Sequence, residues 1–157
     1  FDAGVRLGEH IAKDMIAVRI SPDFRMAVAA APRYFEGRDK PKTPQDLTSH
    51  NCANLRMATH GGLYAWEFVQ NGRQLNVQVP GQIICNTSTQ LLNAALEGYA
   101  LTYAPEDVIQ PHVQAGRLVR VLEEWSPTFP GYRLYYPSRR QSLPAFALVL
   151  EALKLRD

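Results

Sequence analysis

Short β-rich apolar runs alternate with helix-start signals along almost the whole chain, and that alternation restricts the fold more than any other feature. Residues 2–7 alternate polar and apolar and stop at Gly8, as a strand does. Met15 to Ile20 and Met26 to Ala31 are two more such runs, split by the turn-forming Ser21-Pro22-Asp23. Pro32 opens a short helix through Tyr34 and Phe35 that ends near Gly37. In Thr43-Pro44-Gln45-Asp46-Leu47, Thr43 caps a helix, Pro44 suits its first position and Asp46 favours its positive end. Cys52 to Arg56 and Gln82 to Cys85 are strands. Between them, Tyr64 to Val69 and Gln74 to Val79 flank Asn71-Gly72, the strongest hairpin signal in the chain.

The second half continues the pattern. Asn86-Thr87-Ser88-Thr89 caps a helix over Gln90 to Glu97, with Leu91, Leu92, Ala95 and Leu96 at helical spacing and Gly98 placed to end it. Leu101 to Ala104 is a strand, Pro105-Glu106-Asp107 starts a helix towards His112, and Leu118 to Leu122 is a strand after Gly116. Arg133 to Tyr136 is a strand closed by Pro137. A last helix starts near Pro144, with Phe146, Val149, Leu150 and Leu153 as its buried stripe. Strands alternating with helices around an inserted hairpin imply an α/β fold with mixed sheets. Ser126 to Gly131, rich in proline, reads as a crossing between two lobes, and a second crossing is expected near Ala31-Pro32.

The 157 residues suffice for one domain or two small lobes, and 46% hydrophobic with 20% charged residues is a globular mix. No apolar run approaches the roughly 20 residues of a membrane helix, and no basic-then-apolar leader opens the chain. The chain lacks an initiator Met and begins inside a strand-like pattern, so it is read as cut from a longer protein. Seventeen Lys and Arg against fifteen Asp and Glu leave a formal charge of +2, interleaved and without the concentrated basic face of a stand-alone nucleic-acid binder. Arg139-Arg140, the densest basic spot, reads as solvated surface, and Arg117 with Arg120 is a looser pair. Cys52 and Cys85 each sit in an apolar run and read as reduced buried thiols of a cytoplasmic protein.

Catalytic signatures are few. There is no nucleophile elbow, phosphate loop, dinucleotide fingerprint or zinc spacing. His50 and Cys52 lie two apart without further ligands, which reads as a loop His beside a core Cys and gives no metal site. Glu97, Glu106, Glu123 and Glu124 read as surface charge. The aromatic series Tyr64, Trp66 and Phe68 has period two and reads as one packed sheet face. One element suggests a ligand. The helix start at Asn86 to Thr89 offers unpaired N–H groups, a favourable dipole end and hydroxyl donors, although on these residues alone plain capping is the better explanation. Arg6 and Arg56, at strand ends, can meet a carboxylate bidentately or stand as surface arginines.

Several stretches, taken in order, resemble the effector domain of LysR-type transcription regulators. They are Phe1 to Gly8, Arg25 to Pro32, and Thr43 to Leu47 followed by His50, Cys52, Asn54, Leu55 and Arg56. Trp66-Glu67-Phe68, Ala94 to Gly98, Pro105-Glu106-Asp107, Gly116 to Leu122 and Leu134 to Arg140 complete the series, which spans nearly the whole chain. The resemblance implies a fold like type II periplasmic binding proteins: two Rossmann-like α/β lobes with an interlobe cleft, the first lobe incomplete in this chain. Residues 1–31 would be part of the first lobe, 32–125 the second, and 126–157 the crossing segment and return to the first. Carried over onto this sequence, the effector-contacting positions are Asn86, Thr87 and Ser88, with Arg56, Arg6 and Tyr103. The implied partners are a small anionic or aromatic effector, a second copy of the regulator (a homodimer or tetramer), and DNA only through an N-terminal helix-turn-helix outside this chain. No cofactor, enzyme activity or membrane contact is implied. A periplasmic-type solute-binding protein of the same fold is the alternative, and an enzyme on a related two-lobe scaffold is a third.

Overall fold

The apolar run Met26 to Ala31 has no polar face, so a strand made from it needs cover on both sides. The computed structural model, which describes residues 2–6, 14–57, 61–137 and 144–155, supplies that cover. The chain divides into two compact units, one of residues 1–24 with 128–157, the other of residues 25–127. The strands are β1 (Gly4–Arg6), β2 (Met15–Arg19), β3 (Phe24–Ala30), β4 (Ala53–Leu55), β5 (Trp66–Gln70), β6 (Arg73–Val77), β7 (Ile83–Cys85), β8 (Thr102–Pro105), β9 (Val119–Val121), β10 (Thr128–Phe129) and β11 (Arg133–Pro137). The helices are α1 (Ser88–Leu96), α2 (Glu106–Gln114) and α3 (Pro144–Leu153), with 3-10 turns at Pro32–Phe35, Pro44–Ser49 and Glu123–Trp125.

In the larger unit β3 pairs antiparallel with β8 on one side and β9 on the other, Val28 lying opposite both Tyr103 and Val121. A parallel bridge between Cys52 and Leu101 carries the sheet on to β4, and β4 pairs parallel with β7. One face holds Val28, Ala30, Leu101, Tyr103 and Val121, and the β5–β6 hairpin covers it with the buried Trp66 and Phe68. The other face presents Ala27, Ala29 and Ala104 to Ala95 of α1 and Ile109 of α2. Alanines on the strand let the helices approach closely; the aromatics lie where the hairpin leaves depth. β3 is hydrogen-bonded into the larger unit along most of its length, and the division between the two compact units falls between Phe24 and Arg25.

Local signals account for the ends of the elements. Asn71 (φ 50°) and Gly72 (φ 75°) form the tight turn of the hairpin, the two left-handed residues that a primed turn requires. Thr43 and Asp46 form a capping box around the Pro44 turn, and Asp46 accepts the N–H of Lys42 and Thr43 at 2.9 and 2.8 Å. Those bonds hold the Asp46 carboxyl below its ordinary pKa. Gly98 (φ 68°) closes α1 with paired bonds from Gly98 N to Ala95 O and Tyr99 N to Ala94 O. The helix starts two residues earlier than Gln90, at Ser88.

The smaller unit is a three-stranded antiparallel sheet in the order β1-β11-β2. Phe24 stacks with Phe129 and Tyr132, and Asp23 accepts the Gly131 N–H. Phe146 of α3 packs edge-on against Tyr136. The stripe expected on α3 is only half present: Phe146 and Leu150 are half-buried, whereas Val149 and Leu153 are 47% and 43% exposed. Ala145, Ala147 and Leu148 are apolar too, so the periodicity could not select one face. Arg139-Arg140, Leu7 and Gly8 lie outside the described residues.

Two glycines separate steric from conformational demand. A Cβ at Gly81 would lie 1.7 Å from the Cys52 carbonyl oxygen, whereas one at Gly72 would meet nothing within 4 Å. Gly81→Ala is expected to destabilise the chain by about 3 kcal/mol or more through forced backbone displacement. Gly72→Ala should cost only about 1 kcal/mol, the cost of its positive φ. Urea unfolding of both variants checks the order; an equal loss would contradict the close approach at Gly81.

Candidate functional site

β4 and β7 run parallel, so their C-terminal ends finish side by side, the arrangement in which open α/β sheets place ligands. Leu55 lies opposite Cys85, and the Arg56 N–H donates to the Cys85 carbonyl at 2.8 Å. The chain then passes through Asn86 and Thr87 into α1. This brings Arg56 together with Asn86, Thr87 and Ser88, all four exposed. Thr87 occupies the N-cap position with extended backbone (φ −132°, ψ 140°), yet its hydroxyl makes no bond into the first turn. Capping is therefore by backbone geometry alone, in place of the hydroxyl cap read from the sequence. The Arg56 guanidinium donates to the Gly61 carbonyl at 2.8 Å, which folds the side chain back over its own strand end.

Tyr103 is 9% exposed and stacks on Trp66 at 5.3 Å between centroids. Its hydroxyl donates to the Glu67 carbonyl at 2.7 Å, and burial pushes its pKa well above the ordinary phenol value. As found, it is a core residue with its hydroxyl engaged. Arg6 belongs to the smaller unit, exposed on β1 opposite Arg133.

Sequence reading missed Tyr64 and Glu67. The Tyr64 N–H donates to the Leu55 carbonyl, which sets this residue against the end of β4, and its hydroxyl donates to the Glu67 carboxylate. Burial, then the neighbouring carboxylate, raises the Tyr64 pKa. The period-two aromatic pattern correctly put Trp66 and Phe68 on one packed face, but it gave no sign of the Tyr64–Glu67 pair, because that contact depends on where the hairpin joins β4. The apolar residues of α1 turn inward. Leu91 and Ala95 are buried, and Leu92 and Leu96 are half-buried and pack against the core cluster that includes Ile109 of α2. Cys52 is buried and its thiol is pushed up to about 12, which keeps it protonated and inert. Among the described residues no cluster of three His, Cys, Asp or Glu is grouped to hold a metal, and no helix is long and apolar enough to cross a membrane.

The family model described as LysR substrate binding domain matches residues 1–156. A putative transcriptional regulator of Pseudomonas aeruginosa is 58% identical over 98% of this chain and 50% of its own length. The HTH-type transcriptional regulator PgrR of Escherichia coli is 41% identical over 99% of this chain and 52% of its own. The chain thus spans about half the length of these curated relatives. Among solved structures, the regulatory domain of AphB from Vibrio vulnificus aligns with a TM-score of 0.79 at 22% identity, covering 98% of this chain and 74% of that one. The CrgA regulatory domain of Neisseria meningitidis aligns at 0.78 and 21%, covering 97% and 73%. At these identities the structural likeness speaks for the fold, which is of the type II periplasmic-binding-protein kind expected from the sequence.

The core role of the Tyr103 stack is measurable. Tyr103→Phe keeps the stack and removes one hydrogen bond, for an expected loss of about 1 kcal/mol. Trp66→Ala empties the same layer and should cost about 3–5 kcal/mol. Denaturant unfolding gives both values, and a Trp66→Ala loss no larger than that of Tyr103→Phe would contradict this packing.

Proposed function

The chain belongs to the LysR substrate-binding domain family, and from that premise we propose that it is the effector-sensing part of a DNA-binding transcription regulator. The match over residues 1–156 carries this reading. Relatives named as transcriptional regulators favour it over a periplasmic-type solute-binding protein, and neither they nor the family are enzymes.

The effector is a small molecule, anionic or aromatic, received at the C-terminal ends of β4 and β7. What supports this is the bond between the Arg56 N–H and the Cys85 carbonyl, which joins an exposed arginine to the open start of α1. The first N–H groups of α1 and the hydroxyls of Thr87 and Ser88 would meet an anion there, and Arg56 would balance its charge. Asn86 would contribute its amide. Arg6 and Tyr103 remain in the proposal with lesser parts: Arg6 as an exposed arginine of the smaller unit, Tyr103 through the aromatic layer of the larger. In this reading residues 1–31 are part of the first regulatory lobe, 32–125 are the second, and 126–157 are the crossing segment and return to the first. The complete regulator would pair with a second copy and meet DNA through a segment outside this chain. An effector preferring one conformation of that assembly would shift its population and so change the DNA-bound state.

Binding tests the site. A panel of small organic acids, screened by thermal shift and then by calorimetry, should yield an effector whose binding to Ser88→Ala is weaker by about 1 kcal/mol or more, roughly fivefold. An effector bound equally well by Ser88→Ala, Thr87→Ala and Arg56→Gln would remove the site from the end of β7. In gel retardation, sequence-dependent binding of duplex DNA by the 157-residue chain alone would contradict the division of labour. Ultracentrifugation of the complete regulator should show a dimer or tetramer; a monomer at tens of micromolar, roughly the range of weak interfaces, would remove the pairing.

A further inference from the structure

The opposite ends of β4 and β7 carry a second polar arrangement, separate from the proposed effector site. Asn51 leads into β4 and Gly81-Gln82 leads into β7. The Asn51 side chain clamps this end: its Nδ2 donates to the Tyr99 carbonyl at 2.8 Å and its Oδ1 accepts the Gln82 N–H at 2.9 Å. With the close approach of Gly81 to the Cys52 carbonyl, this fixes the floor of an open depression of about 830 Å³. Arg38, His50, Gln82 and Tyr99 are among its lining residues, and Tyr99 is 67% exposed.

Tyr34 engages one edge of the His50 ring. The Tyr34 hydroxyl accepts the Asn51 N–H at 2.9 Å, donates to the Asn51 carbonyl at 3.4 Å and lies 3.1 Å from His50 Nδ1. Imidazolium His50 is a donor at both ring nitrogens, and with Nδ1 against Tyr34 the Nε2 edge is the one left for a ligand. Arg38 flanks the same tyrosine, with its guanidinium carbon 4.9 Å from the ring centroid and Nη1 donating to the Tyr34 carbonyl at 2.8 Å. Burial, and then the Arg38 charge, lower the His50 pKa, while Asp46 opposes them. Asp46 is committed to the Lys42 and Thr43 N–H groups. Tyr34 and Cys52, the other titratable neighbours, are both raised by burial and stay neutral. Arg38, permanently cationic, and His50 thus line the depression together with an exposed aromatic ring.

We propose that this depression binds a small oxyanion carried on a planar ring, with the anion held by Arg38 and the Nε2 edge of His50 and the ring lying against Tyr99. The site is about 13 Å from the proposed effector site, the run of the strand from Cys52 to Arg56. An anion seated there favours imidazolium, so its binding raises the His50 pKa, and its affinity rises as pH falls through that range.

Benzenesulfonate and methanesulfonate are suitable probes because their charge does not change across the titration. The His50 ring signal of the 157-residue chain is followed by NMR against pH, in benzenesulfonate and in sodium chloride at matched ionic strength. The expected result is a His50 pKa higher by about one unit in benzenesulfonate. Arg38→Gln, an exposed change, raises the starting value and abolishes the sulfonate-dependent rise. Tyr99→Ala weakens benzenesulfonate at least about fivefold, the loss of one aromatic contact, and leaves methanesulfonate unchanged. Ser88→Ala leaves the His50 response intact, which separates this site from the one at the other strand ends. An identical His50 pKa in sulfonate and chloride overturns the proposal, as does a sulfonate-dependent rise that survives in Arg38→Gln.

Discussion

The two-sided burial of β3 is the constraint on which the larger unit rests. A strand with no polar face costs free energy until both faces are dry, and its neighbours are arranged around that need. Val28 and Ala30 meet the aromatic layer of Trp66, Phe68 and Tyr103, while Ala27 and Ala29 meet α1 and α2. Burying Trp66 alone removes some 150–250 Å² of apolar surface from water, which explains why the hairpin is anchored through its first strand. The Ala31 N–H also donates to the Ala95 carbonyl near the end of α1, so the strand and the helix lock where the core closes.

What the sequence disclosed follows from the range of the forces involved. The turn at Asn71-Gly72, the end of α1 at Gly98 and the box at Thr43 and Asp46 were legible because each is decided by a few adjacent backbone angles and bonds. The α/β class followed from periodicity, and the family from the order of its stretches. The buried face of α3 was not legible, because apolar residues surround that helix and only the position of Tyr136 selects Phe146. The division between the two units at Phe24 reflects the pairing of β3 with strands far along the chain. For the candidate site, Arg56 and the start of α1 were named from sequence, and the parallel pairing of β4 with β7 brings them together. The burial of Tyr103 and the Tyr64–Glu67 pair arise from long-range packing of the hairpin, on which no local pattern reports.

One pair of short parallel strands thus organises both polar regions of the larger unit. At their C-terminal ends, exposed donors stand at a helix start that leaves its hydroxyls uncommitted. At their N-terminal ends, Asn51 and the Tyr34–His50 contact fix a rigid floor. The strands are only three residues long, so the two surfaces of different chemistry lie a short run of backbone apart.

The alanine layer has an evolutionary consequence. Ala27, Ala29, Ala95 and Ala104 are between 0% and 4% exposed, and between them they set how close the helices come to the sheet. An added methyl group on either side has nowhere to go unless another position gives up volume. These four sites are therefore expected to drift together across descendants of this sequence, a gain on the strand answered by a loss on the helix. The exposed segment Asn86 to Gln90 has no such packed neighbour to answer to, so it is free to diversify while the layer behind α1 changes only in concert.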